Sequence, residues 1–269
     1  RLENGFSYWV KGVLSDYQAT ITKYAGNDAG FYSQSDGDGK YYVGQKIGEI
    51  WGYHSNGLFQ SDDEAATIDQ SELYAGKWGA GDVKYEDLDN DGKITKEEET
   101  IYNPGDKSII GNKTPRYQFG ITVGFDYKNF DFEMFWQGTG KRDYMLSGAQ
   151  FWGFTSQWDV PYTPALDYWT ETNTDAYFPR PGWQNGGNRV TSDRYLQSAA
   201  YGRLKNLTVG YTIPKNLTTK WGISRLRLYV TGENLLTITP LNDAFDPETL
   251  GGMTYPINRK VAIGLNLTL

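Results

Sequence analysis

The amino-acid sequence contains no cysteine and a single histidine, His54, among its 269 residues. Without cysteine, a disulfide framework, a thiolate zinc site and a thiol nucleophile are all excluded. One histidine also excludes metal sites built from several imidazoles, and it leaves one candidate base for a serine triad. These absences remove several common classes of enzyme and metal site.

Long apolar runs and an excess of basic residues are also missing. No stretch approaches the ~18 apolar residues that a membrane-spanning helix needs, so a helical membrane protein is excluded. A membrane β-barrel is not excluded, because only alternate residues of its strands face lipid. Lys and Arg total 26 against 33 Asp and Glu, and the resulting net charge of −7 argues against a nucleic-acid partner.

Aromatic residues are plentiful at 16%, and 32 residues are glycine. This composition favours strands and turns over helix bundles. Leu204 is apolar at an even-numbered position, whereas the apolar residues of the strand that follows it, such as Leu207 and Val209, are at odd-numbered ones. This indicates a bulge or the outer end of that strand. Alternation of apolar with small or polar residues predicts six strands, at residues 6–11, 117–126, 130–137, 206–213, 225–233 and 261–269.

The connections between these strands alternate between long and short. Residues 127–129 and 214–222 form short connections, and residues 17–115, 139–197 and 236–257 form long ones. Short periplasmic turns with long extracellular loops are typical of outer-membrane barrels. The pattern therefore predicts an all-β fold, an antiparallel transmembrane β-barrel segment with three long extracellular loops and a periplasmic C-terminus.

About six strands cannot close a barrel by themselves, since bacterial barrels start at about 8 strands. An open sheet in lipid would leave unpaired backbone groups at both edges, each costing several kcal/mol. We therefore expect residues 1–269 to be part of a larger barrel, with further strands beside the first and the last. A secreted carbohydrate-binding β-sandwich stabilised by calcium is the alternative, because sandwich strands alternate in the same way.

The first long loop contains a stretch, residues 87–98, that matches the calcium loop of EF-hands in its acids, its glycine and its final glutamate. The alternative is a solvated acidic turn. No strong amphipathic helices flank the stretch, so a bound ion would brace the loop rather than act as a sensor. The predicted Ca²⁺ ligands are Asp87, Asp89, Asp91, the carbonyl of Lys93, Thr95 and Glu98.

The second long loop is rich in aromatic residues. Trp152, Trp158 and Trp183 are predicted substrate contacts, because exposed rings stack on sugars. Packing into the loop's own small core is the favoured alternative for any single one of them.

No catalytic site is predicted. His54 lacks the glycine pattern of a nucleophile elbow, and the sequence alone pairs no two carboxylates as acid and base. The chain is therefore predicted not to be an enzyme, and an extracellular glycosidase ranks last among the alternatives.

Several stretches, in order along the chain, resemble SusC/RagA-type TonB-dependent outer-membrane transporters, the nutrient importers of Bacteroidetes. The most diagnostic is Tyr201–Pro214, followed by Thr231–Leu236. The others are Gly44–Tyr53, Gly57–Gln60, Gly81–Gly92, Ile110–Tyr117, Tyr168–Ala176 and Phe178–Arg180.

The resemblance implies a ~22-stranded barrel with a plugged lumen, of which this chain is the last part. It also implies capture of a glycan or a peptide with a SusD-like surface lipoprotein, and import driven by TonB pulling on the plug. Glycan is the expected substrate on family frequency alone. Nothing in the chain matches the plug or the TonB box, so these parts are expected upstream. Barrels of this kind usually end in an aromatic residue, whereas the last residue here is Leu269.

Overall fold

The computed structural model describes residues 5–32, 41–75, 77–156, 158–182, 185–250 and 255–269. Its strands, in chain order, are β1 Ser7–Ser15, β2 Glu49–Tyr53, β3 Ser55–Leu58, β4 Val83–Tyr85, β5 Lys107–Asn112, β6 Arg116–Tyr127, β7 Phe130–Lys141, β8 Asp143–Met145, β9 Leu196–Ser198, β10 Tyr201–Thr212, β11 Arg225–Ile238 and β12 Lys260–Thr268. Its helices are α1 Asp62–Ala65, α2 Ser71–Tyr74, α3 Ala149–Trp152 and α4 Lys215–Thr218, with 3-10 turns at Thr163–Leu166, Gly186–Arg189, Asp193–Tyr195 and Thr219–Trp221. None of the helices in these ranges is long and apolar enough to cross a membrane.

The chain divides into two compact units. The sheet unit comprises residues 1–17, 115–142 and 198–269, and the loop unit comprises residues 18–114 and 143–197. The six strands predicted from the sequence belong to the sheet unit. The first two segments predicted as long loops provide the loop unit.

The sheet unit holds a six-stranded antiparallel sheet in the order β1-β6-β7-β10-β11-β12. Its strands coincide with the six predicted ones, with ends shifted by a few residues. The register of β10 shifts between Leu204 and Asn206 against both neighbouring strands. This shift confirms the bulge predicted at Leu204, because an inserted residue restores the alternation beyond it.

The register places the apolar side chains of all six strands on one face of the sheet, called here the apolar face. One side chain from each strand forms a row across this face. The members from β1, β10, β11 and β12 are 44–83% exposed. Within the described residues of the sheet unit, no second layer covers these four positions. The row consists of Tyr8, Phe125, Phe132, Val209, Val230 and Ile263.

The loop unit has a hydrophobic core of its own, so most of the segments predicted as long loops, residues 17–115 and 139–197, fold compactly. Two pairs of short strands, β2 with β5 and β3 with β4, cross this core. Strands of three to six residues are too short to display a period in the sequence, so they were not predicted. Fully buried members of the core include Phe59, Val83, Tyr85, Ile94, Phe151 and Tyr195.

Candidate functional site

The predicted calcium loop, residues 87–98, lies in the loop unit between β4 and β5. Carboxylate oxygens of Asp87, Asp89 and Asp106 all lie within 4.8 Å of one another. Asp87 and Asp89 belong to the predicted ligand set, whereas Asp106 immediately precedes β5. The fold therefore brings a carboxylate from beyond the loop to the start of the loop.

Asp106 is the buried member of this acidic cluster, with 1% of its surface exposed. Its two oxygens accept hydrogen bonds from the backbone N–H groups of Leu88 and Thr95, each at 2.7 Å. Burial raises the pKa of Asp106 above its usual value, and the charges of Asp89 and Asp87 raise it further. A cation among the three carboxylates would offset this repulsion.

Backbone hydrogen bonds hold the first half of the loop in a compact turn. Asp87 accepts from the N–H groups of Asn90 at 2.7 Å and Gly92 at 2.8 Å. Asp91 accepts from the N–H of Lys93 at 2.8 Å. Gly92 adopts a φ of +86°, a left-handed conformation that favours glycine, as position 6 of the calcium loop requires.

The second half of the loop departs from an EF-hand. Asp91 and Glu98 are outside the close carboxylate cluster. Lys93 forms a parallel bridge with Asp69 instead of standing alone in a loop. The hydroxyl of Thr95 donates to a neighbouring carboxylate. The ligand roles of Asp91, Lys93, Thr95 and Glu98 stay predictions.

The donor set fits Ca²⁺ better than it fits a softer metal. Ca²⁺ prefers six to eight oxygen ligands, and carboxylates are among its commonest. Asp87, Asp89 and Asp106 each offer a carboxylate oxygen at a separation that one ion can bridge. Asp106 was missed from the sequence because no spacing rule extends past the glutamate at position 12 of the loop. Asp106 approaches Asp87 and Asp89 only because the chain after the loop folds back towards the start of the loop.

The three predicted substrate-binding tryptophans have different positions. Trp152 is only 8% exposed. Its ring centroid lies 4.9 Å from that of Phe151 and 4.5 Å from that of Tyr195, both in edge-to-face geometry. Trp158 is 83% exposed, and Trp183 lies outside the described residues. Trp152 therefore presents little surface to a ligand, and the substrate roles stay predictions.

A small cavity beside Trp152 is also lined by Arg180 and Asn188. Its volume is about 20 Å³, which is room for about one water molecule and too little for a sugar ring. This part of the loop unit is therefore packed rather than open to substrate.

Asp82 is the polar centre of this packed region. Its side chain is completely buried and accepts two hydrogen bonds from Arg180, at 2.9 and 2.6 Å. The amide groups of Asn185 and Asn188 donate to it at 2.9 and 2.8 Å. Asp82 belongs to the stretch Gly81–Gly92, and Arg180 belongs to the stretch Phe178–Arg180. This ion pair therefore joins two stretches that carry the family resemblance.

The most diagnostic stretch also has a structural role. In the sheet unit, Arg203 is buried, and it donates to Thr237 at 2.8 Å and to Asp246 at 2.5 Å. Lys205 pairs with Glu248 at 3.0 Å. Two basic residues of β10 therefore hold the acidic connection that follows β11.

His54 joins three segments of the loop unit. Its Nδ1 lies 2.8 Å from Asp193 Oδ2, and its Nε2 lies 2.7 Å from Ser108 Oγ. This is the order of contacts in a serine triad. Ser108 is nevertheless inside β5, paired with Gly52 of β2, and none of the three lines the cavities described for this unit. The arrangement ties β5 to the turn at Asp193.

Comparisons with known proteins give relatives of one kind. No family model matches the chain. "TonB-dependent receptor P3" of Formosa agariphila is 32% identical over 245 residues, which cover 83% of this chain and 22% of the relative. "TonB-dependent receptor P26" of the same organism is 27% identical over 246 residues, covering 86% of the chain and 24% of the relative. The chain thus spans about a quarter of the curated relatives it matches.

Solved structures give the same fold. The RagAB peptide importer in its open-open state aligns with a TM-score of 0.70 at 18% identity, over 100% of this chain and 27% of that one. The RagAB peptide transporter aligns with a TM-score of 0.65 at 17% identity, over 99% and 28%. The resemblance to SusC/RagA-type TonB-dependent transporters is therefore confirmed. The chain is not an enzyme by this comparison, since its curated relatives are TonB-dependent receptors.

Proposed function

We propose that the chain forms part of the barrel wall and the extracellular loops of a TonB-dependent importer. The importer would lie in the outer membrane of a Gram-negative bacterium of the Bacteroidetes type. The observation that carries the proposal is the apolar face, which continues across all six strands and stays exposed. The relation to TonB-dependent receptors supplies the class of transporter.

The exposed apolar face favours a membrane wall over a sandwich. A soluble sandwich buries its inner face against a second sheet about 10 Å away. Here the aliphatic side chains of β12 are among the most exposed apolar groups of the described residues. The opposite face carries polar groups, including the ion pair between Arg227 and Asp131. Lipid on one side and a polar interior on the other is the arrangement of outer-membrane barrels.

The edges of the sheet support continuation into further strands. Within the described residues, β1 pairs only with β6, and β12 pairs only with β11. Unpaired N–H and C=O groups in lipid cost several kcal/mol each. Further strands beside β1 and β12, in a barrel of ~22 strands, would satisfy them.

The proposed orientation follows from the connections. The loop unit would face the outside of the cell, and the turns after β6 and β10 would face the periplasm with the C-terminus. A SusD-like lipoprotein would cover the extracellular side, and a plug domain and TonB would supply the gate and the energy. These partners are proposed from the family, as is a glycan or oligopeptide substrate.

Uptake measurements test this function. Cells that make the intact protein should accumulate a labelled oligosaccharide or oligopeptide, and an uncoupler that abolishes TonB energisation should stop accumulation while surface binding persists. Uptake that resists the uncoupler would contradict TonB-dependent import. A protein that stays monomeric in solution without detergent would favour the sandwich.

We further propose that Asp87, Asp89 and Asp106 hold a Ca²⁺ ion that braces the loop unit. The support is the match to the calcium loop together with the convergence of the three carboxylates. Terbium, which substitutes for Ca²⁺ and luminesces, should bind the intact protein and be displaced by Ca²⁺. An Asp89→Ala variant should lose the signal. A signal unchanged in this variant would contradict the assignment.

A further inference from the structure

The loop unit contains a second, larger cavity that the transport function does not explain. Its volume is about 420 Å³, within the range of small-molecule sites. Most of its lining comes from residues 32–107, and Val190 and Thr191 complete it. The lining residues that matter below are Tyr32, Gln45, Trp51, Glu72, Lys96 and Lys107.

One wall of the cavity is a fixed pair of aromatic rings. The rings of Tyr32 and Trp51 are stacked, with centroids 4.1 Å apart and planes within 10°. The indole N–H of Trp51 donates to the hydroxyl of Tyr42 at 3.2 Å. The hydroxyl of Tyr32 donates to the carbonyl of Pro104 at 3.1 Å. Both rings are therefore held in position before any ligand arrives, which lowers the entropic cost of binding.

Lys107 occupies the position that a cationic ligand would take. Its ammonium lies 5.9 Å from the ring centroid of Tyr32 and 5.4 Å from that of Tyr53. It also pairs with Glu99 at 2.5 Å. An additional cation at these rings would meet the charge of Lys107.

Other polar groups of the lining are available to a ligand. Gln45 is 9% exposed, and its amide nitrogen has no hydrogen-bond partner among the residues that the structure describes. The side chains of Glu72 and Lys96, both exposed, form no hydrogen bond or ion pair within the described ranges. The cavity thus offers a carboxylate acceptor, an ammonium donor and an amide beside an aromatic wall.

We infer that this cavity binds an uncharged ring compound that carries several hydroxyl groups, that is, a neutral sugar unit. The lining contains two carboxylates, Glu49 and Glu72, and two ammonium groups, Lys96 and Lys107. A charged ligand would be attracted by one pair and repelled by the other. A hydroxyl both donates and accepts, so it satisfies either kind of neighbour. The apolar face of a sugar ring would lie against the aromatic wall.

This binding does not depend on transport. A sugar held in the loop unit would be bound whether or not the barrel admits it, so loss of uptake and loss of binding are separate results. The site would capture ligand at the outer surface in the proposed orientation.

Calorimetry on the intact protein in detergent tests the inference. The probes are neutral di- and trisaccharides, the corresponding uronic-acid saccharides, and neutral tripeptides. We expect at least one neutral saccharide to bind, and Glu72→Gln to weaken it about fivefold, because an amide replaces a charge-assisted hydrogen bond. Trp51→Phe, which keeps a ring, should weaken it further through the smaller stacking surface.

The matched control is Glu171→Gln, the same change at an exposed residue of the loop unit outside the cavity lining. It should bind the saccharide as the unmodified protein does. Thermal unfolding should be the same for both glutamine variants, which separates a binding effect from a folding effect. The inference is overturned if no neutral saccharide binds, if only charged saccharides or peptides bind, or if E72Q binds as tightly as E171Q.

Discussion

Asp82 shows how one residue stabilises the loop unit. It is a fully buried carboxylate, and its hydrogen-bond partners are all donors. They are Arg180, two asparagine amides and the N–H of Gly79. The hydrogen bonds to Asp82 also raise the pKa of Arg180 above its usual value. Removing the carboxylate leaves several buried donors without an acceptor, which is costlier than the loss of one surface ion pair.

We expect Asp82→Ala to lower the free energy of opening of the loop unit by about 3 kcal/mol. Hydrogen exchange of the amides in residues 59–85 would measure it. Asp175→Ala, at an exposed position in the same unit, should change it by less than about 0.5 kcal/mol. Equal effects of the two substitutions would show that Asp82 is not the organising residue.

The raised pKa of Asp106 predicts how the stability of the loop unit depends on pH. Burial and the charges of Asp89 and Asp87 raise its pKa in the folded state from the usual 3.8. The protonated form is therefore favoured on folding, and its contribution to stability is fully present below 3.8 and lost as pH rises through the raised pKa. In the presence of a chelator, the contribution of Asp106 to the free energy of opening of residues 87–107, measured as the difference from an Asp106→Asn variant, should fall as pH rises from below 3.8 towards neutrality.

Calcium should abolish this decrease in the contribution of Asp106 to the free energy of opening, because the ion offsets the carboxylate charges at neutral pH. Hydrogen exchange with and without Ca²⁺ would measure both curves. Asp106→Asn is the control, since it cannot ionise and therefore lacks the contribution recorded in chelator. Identical curves with calcium, with chelator and in the variant would mean that neither the ion nor Asp106 acts here.

Residue roles were only partly predictable from the sequence. Asp87 and Asp89 were predicted as ligands because their spacing is local and fits a known loop, and the structure places both carboxylates in the acidic cluster. Asp106 could not be predicted, because it joins the cluster only through tertiary folding. The pairing of Asp82 with Arg180 is likewise invisible in the sequence, since 98 positions separate them. Burial of Trp152 follows from its neighbours, not from its own type.

At the scale of elements, the strands of the sheet unit were the most predictable part of the fold. Their period of two is set by the backbone, so a long strand with one apolar face is readable from its own residues. The bulge at Leu204 was readable for the same reason. The strands β2 to β5 were not, because three to six residues give too few repeats and their pairing depends on distant partners.

The two faces of β10 give a direct test of the membrane wall. Val209 lies on the apolar face, opposite Phe132 and Val230. Val209→Arg should destabilise the folded barrel in lipid by about 2–4 kcal/mol if the position is near the bilayer midplane. Asn206→Arg is the control in the same strand, on the opposite and polar face, and should cost less than about 1 kcal/mol there.

Denaturant titration of the protein in lipid vesicles would measure both variants. If N206R proved the more damaging, the face of Asn206 rather than the apolar face would lie in hydrocarbon, and the assignment of the lipid boundary would be wrong. Equal effects near zero would place neither face in hydrocarbon, and the barrel assignment would fail.

At the scale of the whole molecule, the sequence predicted the all-β class and the six-stranded sheet, but it described the rest as loops. Residues 18–114 and 143–197 instead make a compact unit with buried aromatic residues. Its core joins the two chain segments through contacts such as Tyr74 with Asn188 and Tyr85 with the carbonyl of Gly187. The sequence of such a unit shows no regular hydrophobic pattern that would predict its fold, because its stability comes from contacts between segments far apart in the chain.

The absence of cysteine from residues 1–269 makes the orientation of this part of the molecule testable. Single cysteines can be placed at Thr172, exposed in the loop unit, and at Lys220, exposed in the turn after β10. Intact cells that carry Thr172→Cys should react with a maleimide that cannot cross membranes, because the proposed orientation places the loop unit outside. Cells that carry Lys220→Cys should react only after the outer membrane is opened, because that turn would face the periplasm. The reverse pattern would invert the orientation, with the C-terminus outside the cell. Full labelling of both in intact cells, with the protein released into the medium, would instead identify a secreted protein and refute a membrane wall.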